Sequence, residues 1–528
     1  MALTSFEMWK MWSSRYTLLP YVERYPLGED RLPSLEPAWR RAGSVSFVLE
    51  SGKDGRYTFL GLAPVSVIRG KGKSAVIADY GSDLPADGAE RQPQPRMTYV
   101  WGEPLELVRR WMSAFRSPRV EGAPKFVGGC VGYWGYDVAR SIERLPERAR
   151  DDLGLPDYYW AMVRELWIVD HTERQLYCAV HKRVPADADG AVDEAALKFA
   201  YDEAAARADA MFREWENMAA EAQNERSLRR RQLYETVARK DGLSIDIESI
   251  PGLVRAFDKS AFVRAVRDVQ RYIAQGDVFQ VNLSVRQSRP LSRPPEDVYE
   301  WLRLLNPSPY MGMLRFPDLY LVSASPELLV RAVDGLLETR PIAGTRPRGR
   351  NVEEDRRLAD ELIRSGKERA EHIMLVDLLR NDLGRVSRYG TVRVAELMAI
   401  EYYSHVMHIV SHIRGELAPG RDAYDVVAAV FPGGTITGAP KIRTMEIIDE
   451  LEPVRRGPYT GSIGWIDYNG NMELNIIIRT LVVQGGVGHV QAGAGIVIDS
   501  DPEKEYAESL NKAKAIWKAI QFSESMGS

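Results

Sequence analysis

The chain has 528 residues, with 45% hydrophobic and 27% charged content. These are ordinary globular values, and the length suits several average domains or one large composite. A formal net charge of −4 gives no global field toward nucleic acid or an anionic membrane, and two cysteines, Cys130 and Cys178, exclude a disulfide scaffold and suit a reducing compartment.

No basic segment followed by a long apolar run opens the chain, and no apolar run approaches membrane-spanning length. A cytoplasmic location is therefore expected. Residues 1–183 read as β-rich. SVSFVLES is a strand ending at Glu50 and Ser51, and GRYTFLGLAPVSVIRGKG gives a turn and further strands. Lys125 to Arg140 is dense in glycine and aromatics, which points to close backbone packing. Cys130 falls there without a neighbouring base or nucleophile turn, so a buried structural thiol is expected.

From Asp193 to Ala222, alanine and glutamate predict a long helix. Residues 223–257 are polar with little periodicity and read as a connection, and the cluster Arg226, Arg229, Arg230, Arg231 within them as solvated. Asp258 is positioned to cap a helix with the apolar stripe Phe262, Val266, Val269, Ile273, ended by Gly276. VFQVNLSVRQS alternates as a strand with Gln280, Asn282 and Ser284 on one face. LYLVSASPELLV is strand, turn, strand, with Glu327 after Pro326, and ETRPIAGTRPRG reads as an arginine-and-glycine loop. The next stretch is mostly helix and carries an E-x-x-E pair, Glu368 and Glu371. His405, His408 and His412 sit in a segment that alternates like a strand, with His408 and His412 on one face and His405 on the other. That spacing argues against a three-histidine metal site and leaves His408 able to line a pocket.

The stretch from Pro432 to Lys512 organises the chemistry. It opens with PGGTITGAPK, passes through strand-like runs holding Arg479, and ends on a helical segment with Glu505 and Glu508 three apart. Residues three apart share a helix face, and paired carboxylates suit a hard cation. The glycines allow backbone amides to approach an anion, and Arg479 can pair with a carboxylate. Each feature alone is commonplace: an E-x-x-E pair is usually a solvated helix face. Lys441 lies three residues past Gly438 with no Ser or Thr after it, so the Walker pattern fails. Gly493-Ala494-Gly495 lacks the third glycine of a dinucleotide fingerprint.

Taken together, QRYIAQGDVFQVNLS, NPSPYM, SPELLV, RPIAGTRPRG, ERAEHIMLVDLLRNDLGRVS, HVMHIVS, PGGTITGAPK, YTGSIGW and QAGAGIVIDSDPEKEY resemble the chorismate-utilising enzymes. More narrowly they resemble the component I synthases that make aminodeoxychorismate or anthranilate. The resemblance implies an α+β fold, a mixed composite with β-sheets around a central cleft and helices outside. It implies an N-terminal half, 1–183, contributing to a tryptophan pocket, a helix and linker over 184–257, and a chorismate-binding domain over 258–524. It implies Mg²⁺ held by Glu368, Glu371, Glu505 and Glu508. Glu327 would be the general acid for the departing hydroxyl, with His408, Gln280 and Thr435 beside the reacting ring. Gly344, Thr345, Tyr459, Arg479, Gly493, Ala494, Gly495 and Lys512 would bind substrate. Glu50, Ser51, Arg56, Pro309, Tyr310 and Met311 would form the tryptophan pocket.

Position 280 carries glutamine where relatives that add water carry a lysine base, which implies ammonia as the nucleophile. Cys130 is flanked by Gly128, Gly129 and Gly132 but has no neighbouring base to activate it, so a separate glutamine amidotransferase is the implied ammonia source. Ala343 stands where many aminodeoxychorismate synthases carry a nucleophilic lysine, which favours anthranilate. PGGTITGAPK, YTGSIGW and LNIIIRT favour the aminodeoxychorismate branch, including its members with alanine at that position. Aminodeoxychorismate synthesis is the expectation, anthranilate synthesis the alternative, and a non-catalytic chorismate or tryptophan binder the reading from another class. No nucleic-acid or membrane partner is expected.

Overall fold

In a computed structural model, which describes residues 1–28, 32–52, 55–81, 95–185, 192–238, 244–402 and 406–525, the alternating segments assemble into two sheets of twelve strands each. Each sheet takes five strands from residues 18–183 and seven from residues 254–496. The N-terminal and C-terminal halves therefore interleave, and neither closes a sheet alone. The sheets face each other across a core containing Phe47, Leu314 and Leu321 from one and Val131, Tyr159 and Trp465 from the other. Helices cover both outer faces, so the expected mixed α+β composite holds, as layers of helix, sheet, sheet and helix.

The covering helices follow their apolar spacing. Glu194–Ala222 begins at Asp193, whose side chain accepts from Ala195 N and Ala196 N, and buries Ala204, Ala208, Met211, Trp215 and Met218. Lys259–Ala274 is capped by Asp258 and buries Phe262, Val266 and Val269; Gly276, at φ 83°, lets the chain turn out. Two thiols, Cys130 and Cys178, are free and buried, as expected for packing residues.

Three expectations need correcting. Residues 223–257 are more ordered than their polarity suggests: Glu225–Leu233 is a helix, and Arg230 is buried against Glu300 at 3.3 Å instead of being solvated. ETRPIAGTRPRG is largely strand, Leu336–Thr339 and Ile342–Pro347, with an irregularity between Ala343 and Thr345 where Gly344 takes φ 66°. Arg479 is outside the strands. It occupies the break between Met472–Asn475 and Thr480–Gln484, in the left-handed region at φ 49°. His408 and His412 lie in the strand Val406–Glu416, as alternation requires, while His405 is outside the described residues.

Candidate active site

Glu327 sits between the strands Leu319–Ser325 and Leu328–Val333. Its backbone carbonyl accepts from Ile476 N at 3.0 Å, and Ser325 Oγ donates to Ile476 O at 2.6 Å. The turn is thus pinned to the segment that leads to Arg479. The Glu327 carboxyl is buried, and burial pushes its pKa up to about 7, against smaller opposing pulls from Thr435, Arg479 and Lys512. Thr435 Oγ1 lies beside that carboxyl, close enough to favour its ionised form, but is not aligned in a formed hydrogen bond.

His408, like Glu327, lies within electrostatic reach of Arg479. Burial, with a smaller push from Arg479, lowers its pKa to about 4. At neutral pH the ring is uncharged. Its Nδ1 lies 3.1 Å from Gly344 O and 3.0 Å from Thr345 Oγ1. A carbonyl can only accept, so Nδ1 carries the hydrogen and Nε2 the lone pair. Arg479 acts electrostatically on both Glu327 and His408, and Lys512 on Glu327, Glu371 and Glu505. Arg479 and Lys512 thus link Glu327, His408, Glu371 and Glu505, which come from separate parts of the chain.

Two positive-φ residues frame this place. Arg479 is at φ 49° and Thr460, next to Tyr459, at φ 61°. Non-glycine residues held there are strained, and such strain persists only where surrounding bonds enforce it. Thr460 N donates to Ile477 O at 2.8 Å, and Ala324 N to Arg479 O at 3.0 Å. Behind Tyr459 lies a group that sequence reasoning missed. Arg456 is buried between the rings of Tyr136 and Tyr459, 5.0 and 5.5 Å from their centroids. It donates to both oxygens of buried Glu452, to Ile436 O and to Asn282 O, while Glu452 also accepts from Ser284 N and Oγ. The sequence signal was a Glu and Arg four apart spanning a helix end.

The backbone of Gly493–Gly495 pairs with Asn282–Ser284. On its other side, the strand Val487–Ile496 pairs with Thr480–Gln484 only as far as Val490, so residues 491–496 have no strand there. A Cβ on Gly493 would lie 2.3 Å from Leu283 O, which excludes a side chain there, and one on Gly495 would lie 2.3 Å from Gln280 Nε2 and displace that amide. Lys512 reaches from the helix Pro502–Ser525 to donate to Gly493 O at 2.9 Å.

The four glutamates form two pairs, on Gly366–Gly384 and on Pro502–Ser525. Glu368 is 3.1 Å from Arg346 Nη1, Glu371 accepts from Gln280 Nε2 at 2.9 Å, and Glu508 is 2.9 Å from Lys512. Among the described residues, no three acidic, histidine or cysteine groups stand close enough together to hold an ion in this arrangement. The donor set nonetheless fits a hard cation. Burial first, and a like-charged neighbour after it, raise the pKa of both Glu371 and Glu505, a cost that a cation would offset.

Residues 47–518 match the model of the family described as chorismate binding enzyme. The chain belongs to the chorismate-binding enzymes. It is 46% identical over 477 residues to aminodeoxychorismate synthase component 1 of Bacillus subtilis (strain 168), covering 90% of this chain and 92% of that one. It is 43% identical over 488 residues to anthranilate synthase component 1 of Thermus thermophilus, covering 91% and 93%. The crystal structure of anthranilate synthase component I from Streptococcus pneumoniae TIGR4 superimposes with a TM-score of 0.68 at 30% identity, covering 94% of this chain and 99% of that one.

This chorismate-binding enzyme also has a cavity of about 1120 Å³ lined by Glu50, Ser51, Arg56, Pro309, Tyr310 and Met311. All six residues of the expected tryptophan pocket thus share one space, where the strand Ser46–Glu50 pairs with Tyr310–Phe316. Glu50 accepts from Tyr299 Oη at 2.7 Å and pairs with Arg303 Nε at 3.0 Å. The wall holds half-buried Glu473 between Lys125 and Arg331, which keep its pKa at about 2 against the pull of burial. No described helix is long and apolar enough to cross a membrane.

Proposed function

We propose that the chain is an aminodeoxychorismate synthase component I, aminating chorismate with ammonia from a glutamine amidotransferase subunit. The observation that carries this is a buried carboxyl at Glu327 with its pKa raised to about 7, within electrostatic reach of Arg479, on a chain 46% identical to an aminodeoxychorismate synthase component.

With its pKa raised to about 7 by burial, Glu327 keeps a substantial protonated fraction at neutral pH and can deliver that proton to the departing C4 hydroxyl. Arg479, Tyr459 and the amides of Gly493–Gly495 bind the enolpyruvyl carboxylate, with Gly344, Thr345, Thr435 and Lys512 completing the pocket. His408 Nε2, unprotonated, can accept a hydrogen bond from the incoming nitrogen. Glu368, Glu371, Glu505 and Glu508 would hold Mg²⁺, which supplies charge neutralisation at the ring carboxylate. Gln280 cannot act as a base toward water, which supports ammonia as the nucleophile. Both cysteines are buried, and burial raises the pKa of each thiol above its ordinary value, so neither suits a glutaminase nucleophile, which supports a separate ammonia-supplying partner. The cavity bounded by Glu50 and Tyr310 is proposed as a tryptophan site.

Anthranilate synthesis is the second reading, favoured by Ala343, which cannot form a covalent adduct. The test is chorismate consumption by the isolated chain. Turnover is expected with ammonium and Mg²⁺ and not with glutamine. Absence of turnover with ammonium would favour a non-catalytic binder, and glutamine use by the chain alone would reveal an unrecognised glutaminase.

A further inference from the structure

The loop between the helices Ala423–Val430 and Lys441–Leu451 carries Thr435. One ammonium meets both ends of it. Lys441 begins the second helix, and its Nζ donates to Val430 O, the last carbonyl of the first, at 3.1 Å. The same Nζ lies 2.5 Å from Asp382 Oδ2, near the far end of the helix that begins with Glu368 and Glu371. The two side chains are only 12% and 8% exposed. An ion pair so enclosed costs much of its attraction in desolvation, so it is weak evidence for a purely stabilising role.

The rest of the loop is held along its length. Leu378 of the same helix lies against Gly434, where a Cβ would come within 2.2 Å of Leu378 Cδ2. Asn282 Nδ2 donates to Thr435 O at 3.1 Å, Arg456 Nη1 to Ile436 O at 3.1 Å, and Asn282 N to Thr437 O at 2.9 Å. Gly438, at φ 125°, packs on Gln280 O, 2.1 Å from where a Cβ would stand. The loop is thus clamped between the strand that starts at Gln280 and the glutamate-bearing helix, and Lys441 is the charged fastening on the helix side.

We propose that Lys441 is a positioning residue, closing the 431–440 loop on Val430 and fastening it to Asp382 so that Thr435 and Glu327 hold a fixed relation to Glu368 and Glu371. The inference rests on the proposed amination only for its kinetic readout. Lys441 touches no reacting atom in this scheme, so its loss acts on the geometry of the transition state more than on substrate affinity.

The test replaces the pair by apolar residues of similar bulk, Lys441→Met with Asp382→Leu, which leaves no buried charge unpaired. Expected are a melting temperature at or above that of the wild type, kcat down at least about 10-fold, KM for chorismate within about 3-fold, and recovery of kcat in Lys441→Arg. Amide exchange in a peptide covering 431–440 should speed up at least about 10-fold, with the segment around Leu375–Leu379 unchanged. Wild-type kcat in the folded apolar variant overturns the proposal. So does unchanged exchange in 431–440, whatever the activity. If the apolar pair does not fold, Lys441→Gln with Asp382→Asn removes both charges and is too short to close the loop, and the same readouts decide. A wild-type chain that consumes no chorismate removes the amination reading, and the exchange result still decides the role of Lys441.

Discussion

Gln280 Nε2 donates to Glu371 Oε1 across 2.9 Å, joining the strand that opens the site to the helix bearing the first glutamate pair. The amide favours the ionised form of a carboxylate that burial and Glu368 push toward protonation. Gln280→Leu removes that support. Half-saturating Mg²⁺ for chorismate turnover should rise roughly 3- to 10-fold, and by more as pH is lowered, since a protonated glutamate is no ligand. An unchanged Mg²⁺ titration would separate Glu371 from metal binding.

Glu327 should govern the alkaline limb of activity. Its pKa is raised from the ordinary 4.5 to about 7 by burial. The proton needed for the leaving hydroxyl is present below that value and lost above it, so kcat should fall as pH rises through about 7. The linkage has the same sign for stability: the contribution of the neutral carboxyl is complete below pH 4.5 and is lost as pH rises through about 7. Glu327→Gln should therefore be more stable than the wild type at pH 8, on the order of 3 kcal/mol. It should turn over chorismate 10²- to 10⁴-fold more slowly, by about the usual contribution of a general acid. A pH-independent kcat between 6 and 8.5, measured with saturating ammonia, would assign the acid elsewhere.

Glu508 offers the cleanest test of the second glutamate pair. Its side chain is 54% exposed and its partner, Lys512, 42%, so the pair contributes little to stability. Glu508→Ala should leave the melting temperature within about 2 °C of the wild type and abolish chorismate turnover at millimolar Mg²⁺. Stripping metal with a chelator should give the same loss in the wild type, restored by Mg²⁺. Wild-type turnover by Glu508→Ala at low Mg²⁺ would sink the four-glutamate site.

The elements were legible wherever period and caps agreed. Asp258 announced its helix, alanine and glutamate announced the one that follows Asp193, and alternation placed Gln280, Asn282 and Ser284 on one face of their strand. What failed was set by distant partners. Arg230 reads as solvated until Glu300, seventy positions away, supplies its counter-charge. Arg479 reads as strand because its neighbours are apolar, but the site requires its backbone in a left-handed break that no local pattern signals. Arg456 was missed for a similar reason: beyond its spacing from Glu452, its roles at Tyr136 and Asn282 exist only once three segments meet. The glutamate pairs were visible as spacing, whereas their ties to Gln280, Arg346 and Lys512 depend on the assembled site.

The large cavity and Glu327 share a strand pair. Tyr310, on the cavity wall, pairs with Ser325, two residues before Glu327, and Asn475, also on the wall, precedes Ile476, which donates to Glu327 O. A ligand that shifts this wall acts on the acid through backbone. Tryptophan is expected to bind with measurable heat and to lower kcat, and Ser51→Leu, intruding on the cavity, should abolish both effects while preserving turnover. No heat in protein freed of carried-over ligand would make the cavity a packing feature.

The product decides between the two aminations. With chorismate, ammonium and Mg²⁺, aminodeoxychorismate retains the enolpyruvyl carbons and yields 4-aminobenzoate when a lyase is added; anthranilate appears directly with pyruvate. Ala343 is buried, paired with Ile409 in the strand that runs into Gly344 and Thr345, and Thr345 in turn holds His408. Alanine here offers no nucleophile, so nitrogen must reach C4 without an adduct at this position. The expected dominant product is aminodeoxychorismate. The reasons are the similarity to the Bacillus subtilis component and the surrounding pocket, in which Arg456 and Glu452 fix Tyr459 and the Asn282 strand. Ala343→Lys tests the loop directly. If its amine is neutral and faces the ring, chorismate should leave a mass adduct on the protein, trappable at C2, and the Ile342–Pro347 strand should tolerate the longer side chain with a lower melting temperature. Anthranilate as the dominant product of the unmodified chain would overturn the aminodeoxychorismate assignment and make residue 343, and not the pocket around it, the determinant of the reaction.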